Sequence, residues 1–194
     1  SQSFNGSNNG INVAQNDLME FEAQASFSIE VWMRKATSNS ETEVIIGRDA
    51  SVQQLHWWLG VDAEDNAHFW LISSAASGQQ AEESSIKGTS GIVDNQWHHI
   101  VVVKQDLGLG DGSTEIMLYV DGVLEATESA IYTRGFLDDN IGINIGYLRM
   151  NDSANRFHFL GDIDDVAIYK EALSAVIIRQ HYINGLQGYS YDEE

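Results

Sequence analysis

Over most of the chain, apolar and polar side chains alternate with a period of two, the pattern of strands whose successive side chains face opposite ways. Between residues 27 and 34, Phe27, Ile29, Val31 and Met33 share one face, and Ser28, Glu30 and Arg34 share the other, with Trp32 as the exception on the polar side. The same alternation predicts strands at 43–48, 55–61, 67–73, 97–105, 115–120, 123–128, 141–147 and 161–169. Turn chemistry separates them. Asp121-Gly122 joins two alternating runs, a strong hairpin signal, and Asp65-Asn66 and Asp111-Gly112-Ser113 also read as turns. One helix is predicted near the end, with Ser174 as its N-cap, residues 175–182 as its body and Gly185 as its stop. Val176, Ile177 and Tyr182 are placed to pack down from it, and residues 187–194 read as an acidic tail or linker.

Many short strands with turns every ten residues or so argue for an all-β, two-sheet antiparallel sandwich or jelly roll, closed by that one short helix. No Gly/Ser-rich linker, long charge run or fixed-period repeat divides the chain, so residues 1–186 are predicted to form a single domain. At 194 residues and 43% hydrophobic composition, it can bury a sizeable core without staples. It has no cysteine, hence no disulfide framework and no thiolate metal site. No apolar run approaches a membrane span and no leader-like segment opens at Ser1, so direct membrane insertion is not expected.

Charge narrows the partners. Ten basic residues against 29 acidic ones give a net charge of −19, which disfavours nucleic acid and anionic membrane surfaces. The acidity has two readings: solvation, or carboxylates gathered around a hard cation such as calcium. Motifs for nucleophilic catalysis, zinc hydrolysis and phosphate binding are absent, and no strand carries the alternating acids of a glycoside hydrolase, so no enzyme is predicted. His98 and His99 are adjacent on a strand, face opposite ways and do not easily share a metal.

Four segments carry a family resemblance. They are Phe4-Asn5-Gly6 followed by Ile11-Asn12-Val13, the strand Phe27-Ser28-Ile29-Glu30-Val31-Trp32-Met33, the strand Trp97-His98-His99-Ile100-Val101-Val102 with the later Leu118-Tyr119-Val120-Asp121-Gly122, and the run from Leu160 to Tyr169 followed by Ala172-Leu173-Ser174. In this order, across nearly the whole chain, they resemble the concanavalin A-like, laminin-G-like jelly-roll superfamily. The resemblance implies modules of large secreted or surface proteins, including calcium-rich bacterial adhesins. It also implies a structural calcium on the convex side, held at positions matching Asn5 or its neighbours, Gly47 and Asp164. A second calcium at the rim would use Asp62 or Asp65 together with Asp152. For each of these acids, hydrogen bonding within a turn is the competing explanation.

The rim loops 62–66 and 151–155 are the main binding candidates, with 106–112 and 138–140 behind them. Asn151, Asp152 and Asn155 would offer polar contacts, and Trp57, Trp58, Trp70 and Tyr147 aromatic candidates, of which at least one is expected to face out. Trp57 and Trp58 are neighbours, so one faces out if the other faces in. The expectation is a calcium-dependent, lectin-like module of a bacterial surface adhesin, extracellular and part of a longer multidomain chain, binding a glycan or a short peptide. A structural spacer domain is the first alternative, and a glycoside hydrolase the second.

Overall fold

The alternation in residues 27–34 becomes the centre of one sheet. A computed structural model describes residues 1–15, 20–48, 57–73, 80–136, 141–149 and 155–191. In chain order the strands are β1 (Gln2–Asn5), β2 (Ile11–Val13), β3 (Phe27–Arg34), β4 (Glu43–Arg48), β5 (Trp57–Val61), β6 (Asn66–Ile72), β7 (Glu83–Gly91), β8 (Trp97–Asp106), β9 (Ser113–Val120), β10 (Val123–Ile131), β11 (Ile143–Ile145), β12 (Leu148–Arg149), β13 (Asn155–Arg156) and β14 (Leu160–Tyr169). The helix α1 spans Ala175–Leu186. Two antiparallel six-stranded sheets form, ordered β1-β14-β3-β8-β9-β10 and β2-β11-β4-β5-β6-β7, and β12 pairs with β13 in a small ribbon. This is the all-β jelly-roll sandwich that the pattern predicts.

Phe27, Ile29, Val31 and Met33 of β3 are fully buried between the sheets, against residues such as Leu59 and Phe69 of the second sheet. The other face of β3 is buried too. Leu173 and Ile178 pack with Val101, Val103 and Tyr119 on the outer face of the first sheet, and Trp32 stacks on Tyr182 of α1 at 5.8 Å. Trp32 breaks the polar alternation because a helix covers it.

Ser174 caps α1 as expected, accepting a hydrogen bond from the Ile177 N–H at 3.3 Å. Two expectations for this region need correction. Gly185 does not stop the helix; it lies within it, and a Cβ there would come within 2.2 Å of the Trp32 ring. The left-handed residue after the helix is Gly188, at φ +79°. Val176 is 79% exposed and Ile177 43% exposed, and Ile178 is the buried anchor. The segment after α1 is not free as far as Tyr191, whose hydroxyl donates to the Asp165 carbonyl at 2.7 Å and whose ring stacks on His181 at 5.1 Å.

Asp121-Gly122 forms the β9–β10 hairpin with φ of 51° and 73°, the left-handed pair that a two-residue loop of this kind requires. The predicted strand at 141–147 shortens to β11, because Gly146, at φ +82°, turns the chain closely over the Phe4 ring. Leu55 and His56, the start of the strand expected at 55–61, lie outside the described residues.

Candidate ligand-binding face

The two outer faces of the sandwich differ. The face of the first sheet is roofed by α1, and beneath it Glu30 is fully buried between two imidazoles. The His99 Nε2 lies 2.6 Å from its carboxylate, and the His181 Nδ1 lies 3.0 and 3.1 Å from its two oxygens. His98 takes the opposite side of β8 and meets Asp121 and Asp94 instead. The histidine pair is thus split between two hydrogen-bond networks, as strand geometry requires.

The outer face of the second sheet carries aromatic residues. Trp57 points into the core at 0% exposure, and Trp58 points out yet is only 6% exposed. Its cross-strand partner is Trp70, half-buried, and the rings meet edge to face at 6.2 Å and 81°. His68 packs against Trp58 at 4.7 Å, and its Nε2 lies 2.8 Å from the Ser85 hydroxyl on β7. Edge-to-face packing of this kind suits the ring quadrupoles. On the far side of Trp58, Leu148 of β12 packs with Val44. Gly47 makes that approach feasible, since a Cβ there would lie 2.6 Å from Leu148.

Lys87 follows on β7, with its ammonium 2.8 Å from Asp62 and 3.0 Å from Glu64. Burial, and then the Lys87 charge, push the His68 imidazole down to about 4, so it is neutral at physiological pH. Trp58 thus forms a floor, Trp70 a partly open ring, and His68 with Ser85 a neutral hydrogen-bonding edge.

Of the residues expected to hold calcium, Asp152 lies outside the described residues, and Asn5, Gly47 and Asp164 themselves are set apart. Asn5 pairs with Leu160 at one end of β14, whereas Asp164 lies four residues along that strand, about 13 Å away at strand rise. Gly47 belongs to the other sheet. The Asn5 Oδ1 accepts the N–H groups of Ser7 and Asn8 and so closes its own turn. Asp62 is buried, and its Oδ1 accepts from the Glu64 and Asn66 N–H groups, both at 3.0 Å. Burial pushes its carboxyl up, but the bonds from Lys87 and the turn outweigh this and leave it below the usual value. It behaves as a turn acid with its oxygens already engaged. Asp65 supplies the turn's left-handed residue at φ +68°. Among the described residues, no group of three or more acidic or imidazole side chains is arranged to hold a metal ion.

Of the expected ligand contacts, Trp57 is core. Tyr147 is buried, stacked on His158 at 5.8 Å, with its hydroxyl accepting from Asn144 at 3.1 Å. Trp58 and Trp70 lie on the outer face. Asn151 and Asp152 lie outside the described residues, and Asn155 is described only as a backbone position in β13. His68, Ser85 and Lys87 were not singled out from the sequence. The available signal was His68-Phe69-Trp70, two polarisable rings two residues apart on one strand face.

Comparison with known proteins agrees with this architecture. The chain covers 92% of its length on the crystal structure of the binding domain of Paraclostridial Mosquitocidal Protein 1, at 18% identity and a TM-score of 0.67. It covers 89% on the CBM40 of the Ruminococcus gnavus IT-sialidase bound to α2,3-sialyllactose, at 12% identity and 0.64. It covers 93% on a putative carbohydrate binding protein from Bacteroides ovatus, at 17% identity and 0.64. The alignment spans 42% of the mosquitocidal chain, 95% of the CBM40 chain and 46% of the Bacteroides chain. No curated protein matches the sequence. Residues 5–179 match the family model Laminin_G_3, described as the Concanavalin A-like lectin/glucanases superfamily, and the chain belongs to that family.

Proposed function

We propose that this chain is a lectin-like, carbohydrate-binding module that takes its ligand on the outer face of the second sheet. Trp70, braced by Trp58, would stack on a sugar ring, while His68 and Ser85 would meet its hydroxyl groups. The observation that carries this reading is the perpendicular Trp58–Trp70 pair on a face that, among the described residues, no helix covers, while the equivalent face of the first sheet is covered by α1. Aromatic rings with a neutral polar edge suit a ligand that has one apolar and one hydroxylated side. The solved structures named for carbohydrate binding support it by likeness of fold.

We assign the module no catalytic step. Asp62 and Glu64, the carboxylates that reach this face through Lys87, are held in ion pairs. We also place it in a larger extracellular or cell-surface protein such as an adhesin; the match to under half of two of the solved chains is in keeping with a module of a longer protein.

A glycan array, run once in millimolar calcium and once in EDTA, tests the reading, with Trp70→Ala as the variant. A hit is expected in both conditions, because none of the four platform groups is a carboxylate. Trp70→Ala is expected to weaken it about tenfold or more while unfolding of the variant stays a single cooperative transition. No hit on any glycan, or full affinity in Trp70→Ala, would reject the platform. A hit abolished by EDTA would move the site to a rim calcium involving Asp152.

A further inference from the structure

Strand β7 borders the platform, and its alternation decides which of its side chains a ligand meets. Ser84, Ile86 and Gly88 turn inward, so Glu83, Ser85 and Lys87 stand exposed on the outer face. On β6, His68, Trp70 and Ile72 face the same way. The register sets Ser85 directly across from Trp70, Glu83 across from Ile72 and Lys87 across from His68. Glu83 and Lys87 are therefore the diagonal neighbours of Trp70, about 7–8 Å away and within reach of long side chains.

The two charges differ in what they offer a ligand. Lys87 is already bound to Asp62 and Glu64. Glu83 presents an exposed carboxylate. The face around Trp70 thus carries three carboxylates against one ammonium. No lysine or arginine occurs at 16–19, 49–56, 74–79, 137–140, 150–154 or 192–194, so every such cation of the chain is among the described residues. Arg149 and Arg156 belong to the β12–β13 ribbon, where Leu148 packs on Val44 of β4, three strands or about 14 Å from β7. That separation exceeds the screening length of about 8 Å at physiological ionic strength. Arg134 binds the Gln80 carbonyl and has the Glu82 carboxylate on its own N–H. The field beside Trp70 is therefore negative.

A carboxylate accepts two hydroxyl hydrogens at once and repels a second carboxylate. We propose that the platform takes a neutral glycan, and that Glu83 accepts two neighbouring hydroxyl groups of the sugar ring stacked on Trp70. The proposal rests on the platform reading above. A sialic or uronic acid in this place brings its own carboxylate against Glu83. One carboxylate is too few to hold calcium, so EDTA leaves the contact intact.

Matched pairs drawn from the array hits test it: desialylated oligosaccharides against their sialylated forms, and carboxyl-reduced oligosaccharides against their uronate forms. Each is titrated into wild type, Glu83→Gln and Glu115→Gln, the last making the same charge change on β9 of the other sheet. The neutral member of a pair is expected to bind wild type about threefold or more tighter, with a gap that narrows in high salt. Glu83→Gln is expected to weaken the neutral member about threefold or more and to close the gap, whereas Glu115→Gln changes neither. An acidic member that binds as tightly as its neutral partner, or neutral binding that Glu83→Gln leaves untouched, overturns the proposal and leaves the platform standing. So does a gap that survives Glu83→Gln, or one that Glu115→Gln closes equally. Binding of no member in any pair removes the platform, and the role of Glu83 with it.

Discussion

Two histidines on different sheets, His98 and His68, respond to acid in opposite senses. His98 lies between carboxylates, its Nδ1 2.9 Å from Asp121 and its Nε2 3.1 Å from Asp94. The Asp121 bond raises its imidazole above the ordinary 6.5, against the pull of burial. The stability it contributes is therefore complete below about pH 6.5 and lost as pH rises through the folded value. His68 is depressed by burial to about 4. Its contribution is complete above about pH 6.5 and lost as pH falls toward 4, because the unfolded chain then binds the proton first. Denaturation midpoints measured across pH should separate the two. The gap between wild type and His98→Gln is expected to close as pH rises above neutrality, whereas His68→Gln should flatten the acid limb. The opposite assignment of limbs would mean that the partners have been misidentified.

At the scale of elements, α1 depends on what is missing at Gly185. Replacing glycine by alanine inside a helix normally stabilises it by about 1 kcal/mol. Here the added methyl would meet the Trp32 ring at 2.2 Å, so Gly185→Ala is expected to lower the denaturation midpoint and shift tryptophan emission as the helix lifts. A stabilised variant would show that α1 can slide without cost. The same contact explains why the helix end was misread: a glycine near the end looks like a stop unless the indole it accommodates is known. Strands were legible where alternation was strong, as in β3 and β6. β7 was missed because its buried positions are Ser84, Ile86 and Gly88, which offer a single large apolar residue. The candidate face was half legible. Trp58 and Trp70 were named, but their shared orientation followed from the pairing of β5 with β4 and β6, and the loss of Tyr147 as a contact followed from its packing on His158. The turn role of Asp62 was visible as an alternative, and deciding for it required seeing Lys87 arrive from a strand that the pattern had not revealed.

For the whole molecule, the asymmetry of the two faces should govern dynamics. Amides of β3 and β8, central in their sheet and covered by α1 on one side and the second sheet on the other, are expected to exchange slowest with solvent. A ligand on the proposed platform should slow exchange in β5, β6 and β12 and leave β3 and β8 unchanged. Protection that appears at α1 instead would place the ligand on the other side of the sandwich. The geometry of the face also has an optical consequence. Two indoles 6.2 Å apart and nearly perpendicular couple their electronic transitions, so the Trp58–Trp70 pair should give an exciton couplet in circular dichroism. A sugar lacks an absorbing ring and adds no signal of its own. Any change in that couplet on titration would come from the angle between the two tryptophans, which lets the protein report unlabelled ligands by its own colour.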